Sequence, residues 1–114
     1  MGETWLTEAY ESAKDRLSLN INEFEKAIEY WDKHPVTVNG KEIGAILING
    51  PEMHVCINPA FRGMWANRKL LSLLWSIVDK HGFVTTSATT QDGVNFVKRL
   101  GFVKESESWV LKRH

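Results

Sequence analysis

Apolar residues recur every three to four positions along four segments of the chain, and this spacing predicts four amphipathic helices. The helical segments are residues 4–17, 22–33, 66–80 and 91–100. The pair Asn22 and Glu25 predicts a capping box at the start of the second helix, and His34-Pro35 predicts its end. The third segment carries an apolar stripe so wide that we expect its helix to lie deep against a sheet, with Leu74 buried. The stripe consists of Leu70, Leu71, Leu73, Leu74, Trp75, Ile77 and Val78.

Segments of high β propensity lie between the predicted helices. Asn39-Gly40 separates two of them and predicts a hairpin with a type I′ turn, because both central residues of that turn need positive φ. Gly50-Pro51 predicts the next turn, which is followed by a strand at residues 53–57. Further strands are predicted at residues 83–88 and, as a closing hairpin, in FVKES and SWVLK.

The predicted order of elements is α-α-β-β-β-α-β-α-β-β, which indicates an α/β fold of the mixed, α+β kind. A β-α-β unit joins parallel strands, so residues 53–57 and 83–88 are expected to pair in parallel, whereas the hairpins are antiparallel. The expected architecture is a twisted mixed sheet with a central parallel pair and helices on both faces. One domain is expected to span residues 1–114.

The composition is that of an ordinary soluble domain, with 114 residues, 43% of them apolar and 25% charged. Fourteen basic and fourteen acidic residues cancel, which disfavours binding to nucleic acid. Cys56 is the only cysteine, so no internal disulfide forms, as expected in a reducing cytoplasm. The N-terminal residues are unlike a signal peptide, and no apolar stretch approaches membrane-spanning length. We therefore expect a cytoplasmic protein without membrane association.

The stretch INPAFRGMWANRKLLSLLWSIVDKHGF resembles the signature of the GNAT superfamily of N-acetyltransferases. In that family a strand ends in an apolar residue, one further residue and a proline; Q/R-x-x-G-x-G/A and a long apolar helix follow. The matching residues here are Ile57, Pro59, Arg62 and, at the end of the helix, Gly82. A second stretch, QDGVNFVKRLGF, resembles the family's N-x-x-A-x-x-x-Y-x-x-x-G-F segment. The resemblance covers the chain from about residue 36 onward, and small phage-encoded members of the family look shortened in a similar way.

The resemblance implies a protein that binds acetyl-CoA as a co-substrate. In the family, N–H groups of the loop and of the first helical turn bind the pyrophosphate, and the helix dipole favours that anion. The pantetheine arm lies between the two parallel strands and pairs with their backbones. The cofactor-binding residues implied in this way are Val55, Ile57, Arg62, Gly63, Met64, Trp65, Ala66, Asn67, Arg68 and Gln91.

Several positions depart from the family pattern and weaken the prediction of acetyl transfer. Trp65 replaces a glycine, Asn67 replaces a glycine or alanine, and Val97 replaces the tyrosine that often acts as general acid. Gln91 replaces an asparagine, which is a mild change. Trp65 has three interpretations: it packs on the sheet edge, it stacks on the adenine, or it blocks the loop.

The predicted loop and the start of the helix carry three cations, Arg62, Arg68 and Lys69. Arg62 either binds phosphate or is a solvated loop residue. Arg68 and Lys69 stand at a helix N-terminus, where they oppose the helix dipole, and a bound anion would relieve that conflict.

Strand residues 53–57 include the candidate catalytic residue, His54. Side chains alternate along a strand, so His54 and Cys56 are expected to face the layer opposite to that of Ile57. An imidazole can take a proton from an acceptor amine near neutral pH, and the alternative is a hydrogen-bonded packing histidine. Cys56 is interpreted as a small core residue rather than as a nucleophile.

The remaining polar residues give no separate site. The histidines and Cys56 lack the spacing of a metal site. The acids of the second helix are interpreted as a solvated face, in a region that helps to bound the acceptor site in the family, where a cationic acceptor would fit. These acids are Glu23, Glu25, Glu29 and Asp32.

Three functions are therefore compared. The first is an acetyl-CoA-dependent N-acetyltransferase, in which an unidentified amine attacks the thioester directly. The second is a catalytically inactive GNAT-fold protein that serves as an interaction or assembly module, with a protein partner or as a homo-oligomer. The third, nucleic-acid binding, is disfavoured by the neutral charge.

Overall fold

The structure, a computed structural model, describes residues 4–14, 18–61, 68–88 and 91–112. Within these ranges the chain forms four α-helices, six strands and one 3-10 turn, and the helices and strands follow the predicted order. The elements in chain order are α1 (Thr4–Ala13), α2 (Ile21–Ala27), β1 (Asp32–Val38), β2 (Lys41–Asn49), β3 (Glu52–Ile57), the 3-10 turn (Pro59–Phe61), α3 (Arg68–His81), β4 (Phe83–Thr86), α4 (Gln91–Leu100), β5 (Val103–Glu105) and β6 (Ser108–Lys112).

The six strands of the described residues belong to one mixed sheet, with the order β1-β2-β3-β4-β6-β5. The β3 and β4 strands are parallel, and Glu52 pairs with Thr85. The pairs β1–β2, β4–β6 and β5–β6 are antiparallel. The predicted mixed sheet and its parallel pair are thus confirmed, whereas the placement of helices on both faces stays a prediction.

The elements fall into two compact units. The first unit contains α1, α2, β1, β2 and the part of β3 from Val55 onward. The second contains the beginning of β3 together with α3, β4, α4, β5 and β6.

The β1–β2 hairpin turns at the two residues that the sequence predicts. Asn39 and Gly40 have φ values of 52° and 81°, and the flanking Val38 and Lys41 pair across the turn. Positive φ at both central positions defines the type I′ turn, whose twist matches that of the strands. This part of the prediction is confirmed.

The first unit has its core where α1 packs against both β2 and α2. The buried residues of this cluster are Leu6, Ala9, Ala13, Phe24, Ile28, Ala45, Leu47 and Cys56. Tyr10 links the two helices, because its hydroxyl donates to the Leu19 carbonyl at 2.7 Å and its ring lies 5.7 Å from that of Phe24. The α1 helix ends at Ala13, earlier than the predicted residue 17, and residues 15–17 lie outside the described ranges.

The capping box of α2 is not the predicted one. Asn20, not Asn22, is the N-cap, and its side chain accepts a hydrogen bond from the Glu23 backbone N–H at 2.9 Å. The Glu23 carboxylate accepts in return from the Asn20 N–H, also at 2.9 Å. The prediction with Asn22 and Glu25 was wrong: Asn20 and Glu23 have the same spacing, and the helix already begins at Ile21, so Asn22 lies within its first turn.

Replacing Asn20 by alanine is expected to lower the free energy of unfolding by about 1 kcal/mol, because the Glu23 N–H at the helix start loses the side-chain oxygen that accepts from it. Asn22→Ala is the matched control, since the same side chain is removed two residues further along the helix. Chemical denaturation of both variants measures the difference. Equal losses in the two variants would contradict this assignment of the cap.

The second helix also ends earlier than predicted. It ends at Ala27, and residues 32–38 form β1 instead of continuing the helix to Lys33. Pairing with β2 along seven residues outweighs the helical spacing, because tertiary contacts override local preference. Pro35 lies within β1 rather than ending α2, and a proline is tolerated there because β1 is an edge strand.

The α3 helix contributes a buried stripe to the second unit. Leu74 is 1% exposed, as predicted. The other buried residues of α3 are Leu70, Ile77 and Val78. Leu71, however, is 44% exposed, so the stripe is narrower than predicted and α3 packs along one side only. The helix ends at Gly82 as expected: Gly82 has a φ of 88°, and its N–H donates to the Val78 carbonyl at 2.7 Å.

The C-terminal elements lie close to the positions that the sequence predicts. Residues 91–100 form α4, Gly101 ends it with a φ of 100°, and the β5–β6 hairpin closes the chain. Val84 of β4 is fully buried, and Trp109, Val110 and Leu111 of β6 are buried as well. The β4 strand is shorter than predicted, because it ends at Thr86.

Candidate active site

A histidine and a glutamate contact each other at the beginning of β3. His54 Nε2 lies 2.6 Å from Glu52 Oε2. The two residues are two positions apart on one strand, so their side chains share a face of the sheet. The side chains are 29% and 46% exposed respectively, which leaves the pair within reach of a solvent-borne substrate.

Cys56, further along β3, is a core residue. It is buried in the first unit beside Ala45 and Leu47 of β2. Its 4% exposure confirms the interpretation as a small core residue. Val55 is half-buried and Ile57 is buried, and their assignment to the co-substrate site stays a prediction.

Asn58 fixes the direction of the chain where β3 ends. Its backbone N–H donates to the Ile43 carbonyl at 2.8 Å, and its side-chain amide donates to Glu8 Oε2 at 2.8 Å. Its side-chain oxygen accepts from the Ala60 N–H at 2.9 Å and so starts the 3-10 turn. The three bonds connect α1, β2 and the start of the segment that leads to Arg62. Sequence analysis did not single out Asn58, although an Asn-Pro pair commonly starts a turn.

Most of the predicted pyrophosphate loop lies outside the described residues. This holds for Arg62, Gly63, Met64, Trp65, Ala66 and Asn67, and for the side chains of Arg68 and Lys69. The α3 helix begins at Arg68, so a helix N-terminus follows directly after the loop sequence. The roles of these residues stay predictions.

The two positions in α4 that bear on the family motif differ in exposure. Gln91 is exposed at the first residue of the helix, and its amide donates to Asn95 Oδ1 at 2.9 Å. A side chain held by its own helix must break that bond to reach a ligand. Val97 is buried, so the position at which the resemblance would place a tyrosine holds an apolar core residue that has no proton to donate.

An open groove of about 520 Å³ lies in the first unit. It is lined by Trp5, Leu6, Asn22, Glu25, Lys26, Ile28, Glu29 and Lys33. The Lys33 ammonium donates to the carbonyls of Glu29 and Trp31 at 3.0 and 3.1 Å, so it caps the turn after α2. Two acids and two lysines line the groove together, which gives it no net preference for a cation. The prediction of a solvated acidic face on the second helix holds for Glu23 and Glu25, which are exposed, and Glu23 also forms the helix cap. Glu29 and Asp32 are exposed as well, but they lie in the turn after α2 and in β1 respectively.

The described residues contain no group of three His, Cys, Asp or Glu side chains that could bind a metal ion. No helix among them combines the length and the apolar character needed to cross a bilayer.

Comparison with known proteins leaves this geometry as the basis for a functional assignment. No protein-family model matches the chain, and no curated protein is significantly similar to it.

Proposed function

We propose that the protein is an acetyl-CoA-dependent N-acetyltransferase of the GNAT type, with His54 as the general base. The observation that carries this proposal is the β3–α3–β4 unit, in which a parallel strand pair has a histidine beside the paired position. A β-α-β unit of this kind, with the sequence signature between strand and helix, is the part of the chain that most resembles the family.

The start of α3 supports binding of the co-substrate's pyrophosphate. The first backbone N–H groups of a helix have no partner within the helix, and its dipole favours an anion at that end. Here the helix begins at Arg68, directly after the loop sequence that contains Arg62. The loop residues would supply further N–H groups and the Arg62 guanidinium.

The parallel pair supports binding of the pantetheine arm. Glu52 pairs with Thr85, and β4 ends one residue later, whereas β3 runs on to Ile57. An extended pantetheine can pair with strand backbone in the manner of an added strand.

The reaction needs one proton acceptor on the protein. His54 takes a proton from the ammonium form of the acceptor, and the resulting amine nitrogen attacks the thioester carbonyl carbon. A C–N bond forms, the C–S bond breaks as the intermediate collapses, and CoA leaves as the thiolate. The N-acetylated nitrogen passes its second proton through water to the thiolate, because Val97 has no proton to donate to it. The products are an N-acetylated amine and CoA.

One observation favours the alternative of an inactive interaction module. Val97, at the position that matches the family's general-acid tyrosine, is buried and belongs to the hydrophobic core. A thiolate is a tolerable leaving group without a dedicated acid, and for this reason we prefer the enzyme.

Titration calorimetry with acetyl-CoA on three proteins tests the proposal. The unmodified protein is expected to bind, and Arg62→Ala is expected to bind roughly 10- to 150-fold more weakly, which corresponds to a charge-assisted contact of about 1.5–3 kcal/mol. Trp65→Gly is expected to bind at least as well as the unmodified protein. Binding by Trp65→Gly alone would indicate a co-substrate site that the tryptophan has closed. Absence of binding by all three folded proteins would contradict the proposal and favour the interaction module.

A further inference from the structure

Asn58, the first residue after β3, has a hydrogen-bond partner for each of its polar groups. Its backbone N–H donates to the Ile43 carbonyl at 2.8 Å, and its backbone carbonyl accepts from the Phe61 N–H at 2.9 Å. Its side-chain oxygen accepts from the Ala60 N–H at 2.9 Å, and its side-chain nitrogen donates to Glu8 Oε2 at 2.8 Å. These four bonds hold the residue in one backbone conformation and one side-chain orientation.

The chemistry of the two side-chain partners of Asn58 requires an amide at this position. A backbone N–H can only donate and an ionised carboxylate can only accept, so the side chain between them must offer an acceptor to the first and a donor to the second. Asparagine does both at once, whereas an aspartate would present a second carboxylate to Glu8. The bond to Glu8 spans 50 positions of the sequence and connects the turn after β3 to α1.

The segment of residues 58–61 is attached to two elements of the first unit, α1 and β2. The Lys41 ammonium of β2 also lies 5.5 Å from the centre of the Phe61 ring, within the range of a cation–π contact. Arg62, the first residue of the predicted pyrophosphate loop, follows Phe61 directly. The point at which the chain enters that loop is therefore held by contacts of the residues that precede it.

We infer that Glu8 is a positioning residue for the acetyl-CoA site: through Asn58 it holds the segment that leads into Arg62, and so raises the affinity for the co-substrate. This inference rests on the proposed function, in which the loop after Phe61 binds the pyrophosphate. Glu8 acts through Asn58 and needs no contact with the ligand. A carboxylate would by itself repel an anionic ligand, so positioning and simple charge repulsion predict opposite effects when Glu8 is removed.

The test measures the affinity for acetyl-CoA by titration calorimetry, at a temperature at which circular dichroism shows every variant folded. Glu8→Ala is expected to bind about 10- to 100-fold more weakly, the usual effect of losing a residue that orients a binding group. Removal of a repelling charge alone would strengthen binding instead. Glu8→Gln keeps an acceptor oxygen and is expected to bind like the unmodified protein. Asn58→Asp places two carboxylates against each other and is expected to bind at least as weakly as Glu8→Ala.

The double variant Glu8→Gln/Asn58→Asp reverses the direction of the hydrogen bond. The new amide on α1 donates to the new carboxylate, which still accepts from the Ala60 N–H. This variant has the same net charge as the unmodified protein and is expected to recover most of the affinity. Asn49→Asp is the control for added charge, because Asn49 is an exposed residue at the end of β2, and its replacement should leave the affinity unchanged.

Hydrogen exchange of the Ala60 and Phe61 amides gives a second readout that needs no ligand. Exchange should be faster in Glu8→Ala and Asn58→Asp than in the unmodified protein, and slow again in the double variant. If Glu8→Ala binds acetyl-CoA as tightly as the unmodified protein or more tightly, or the double variant binds as weakly as Asn58→Asp, the role of Glu8 is overturned. An unmodified protein that shows the expected exchange but binds no acetyl-CoA would overturn the proposed function, and the inference with it.

Discussion

Replacing His54 by alanine is expected to lower kcat for acetyl transfer about 100- to 10,000-fold, the usual contribution of a positioned general base. An ammonium nitrogen has no lone pair with which to attack a thioester, so an amine that is protonated in solution depends on a proton acceptor at the site. The KM for acetyl-CoA should change little, because the imidazole is not expected to contact the co-substrate's pyrophosphate. Release of the CoA thiol in the presence of a panel of primary amines measures both constants.

His81→Ala is the control for this variant. His81 is an exposed histidine at the last residue of α3. Its replacement removes the same kind of side chain at a position far from β3 in the sequence. Its kcat should equal that of the unmodified protein. An equal kcat in His54→Ala would show that the base is another group and that the contact with Glu52 serves packing alone.

Replacing Gly44 by alanine is expected to lower the free energy of unfolding by at least about 4 kcal/mol, which places it among the most damaging single substitutions. Gly44 has a φ of 146° at a position where the β1–β2 register shifts. An added Cβ would overlap the carbonyl oxygen of Cys56 and lie 2.9 Å from the Ile57 Cα. Both neighbours are strand backbone, so neither can move without disturbing the pairing of β2 with β3.

Gly40→Ala is the control that separates the cost of positive φ at Gly44 from the cost of the overlap with the added Cβ. Gly40 also has positive φ, but no atom lies within 4 Å of an added Cβ. Its loss should therefore be limited to the backbone cost of about 1–2 kcal/mol. Chemical denaturation of both variants gives the difference directly. A Gly44→Ala variant as stable as Gly40→Ala would mean that β3 does not approach β2 this closely.

The structure could be predicted from the sequence where a local rule determines the backbone conformation. The Asn39-Gly40 turn and the glycines that end α3 and α4 were predictable because positive φ restricts the choice of residue. The parallel pairing of β3 with β4 followed from the β-α-β order alone. The burial of Leu74 followed from its place in the middle of the apolar stripe.

Prediction from the sequence failed where the pairing of strands competes with helical spacing of the apolar residues. Residues 28–33 continue the helical pattern of α2, yet the chain leaves the helix after Ala27 because β1 pairs with β2. Since the position of Pro35 on an edge strand depends on which strands pair, it could not be foreseen from local rules. The exposure of Leu71 likewise depends on how much of α3 its neighbours cover.

The candidate site was predictable in part. His54 was identified from its place on a strand of the parallel pair. Its partner Glu52 was missed, although residues two apart on a strand share a face and the spacing alone makes the contact possible. The bonds of Asn58 to Glu8 and Ile43 join residues far apart in the sequence, which no local pattern indicates.

The most direct test of the central claim is to follow the acetyl group itself. The unmodified protein is incubated with acetyl-CoA that carries a ¹³C-labelled acetyl group and with a panel of primary amines, and the products are analysed by mass spectrometry. The proposed function predicts a labelled N-acetyl amine that forms in proportion to the protein added and at a much lower rate with His54→Ala. A folded protein that yields no labelled product beyond the protein-free background, across the whole panel, would contradict it.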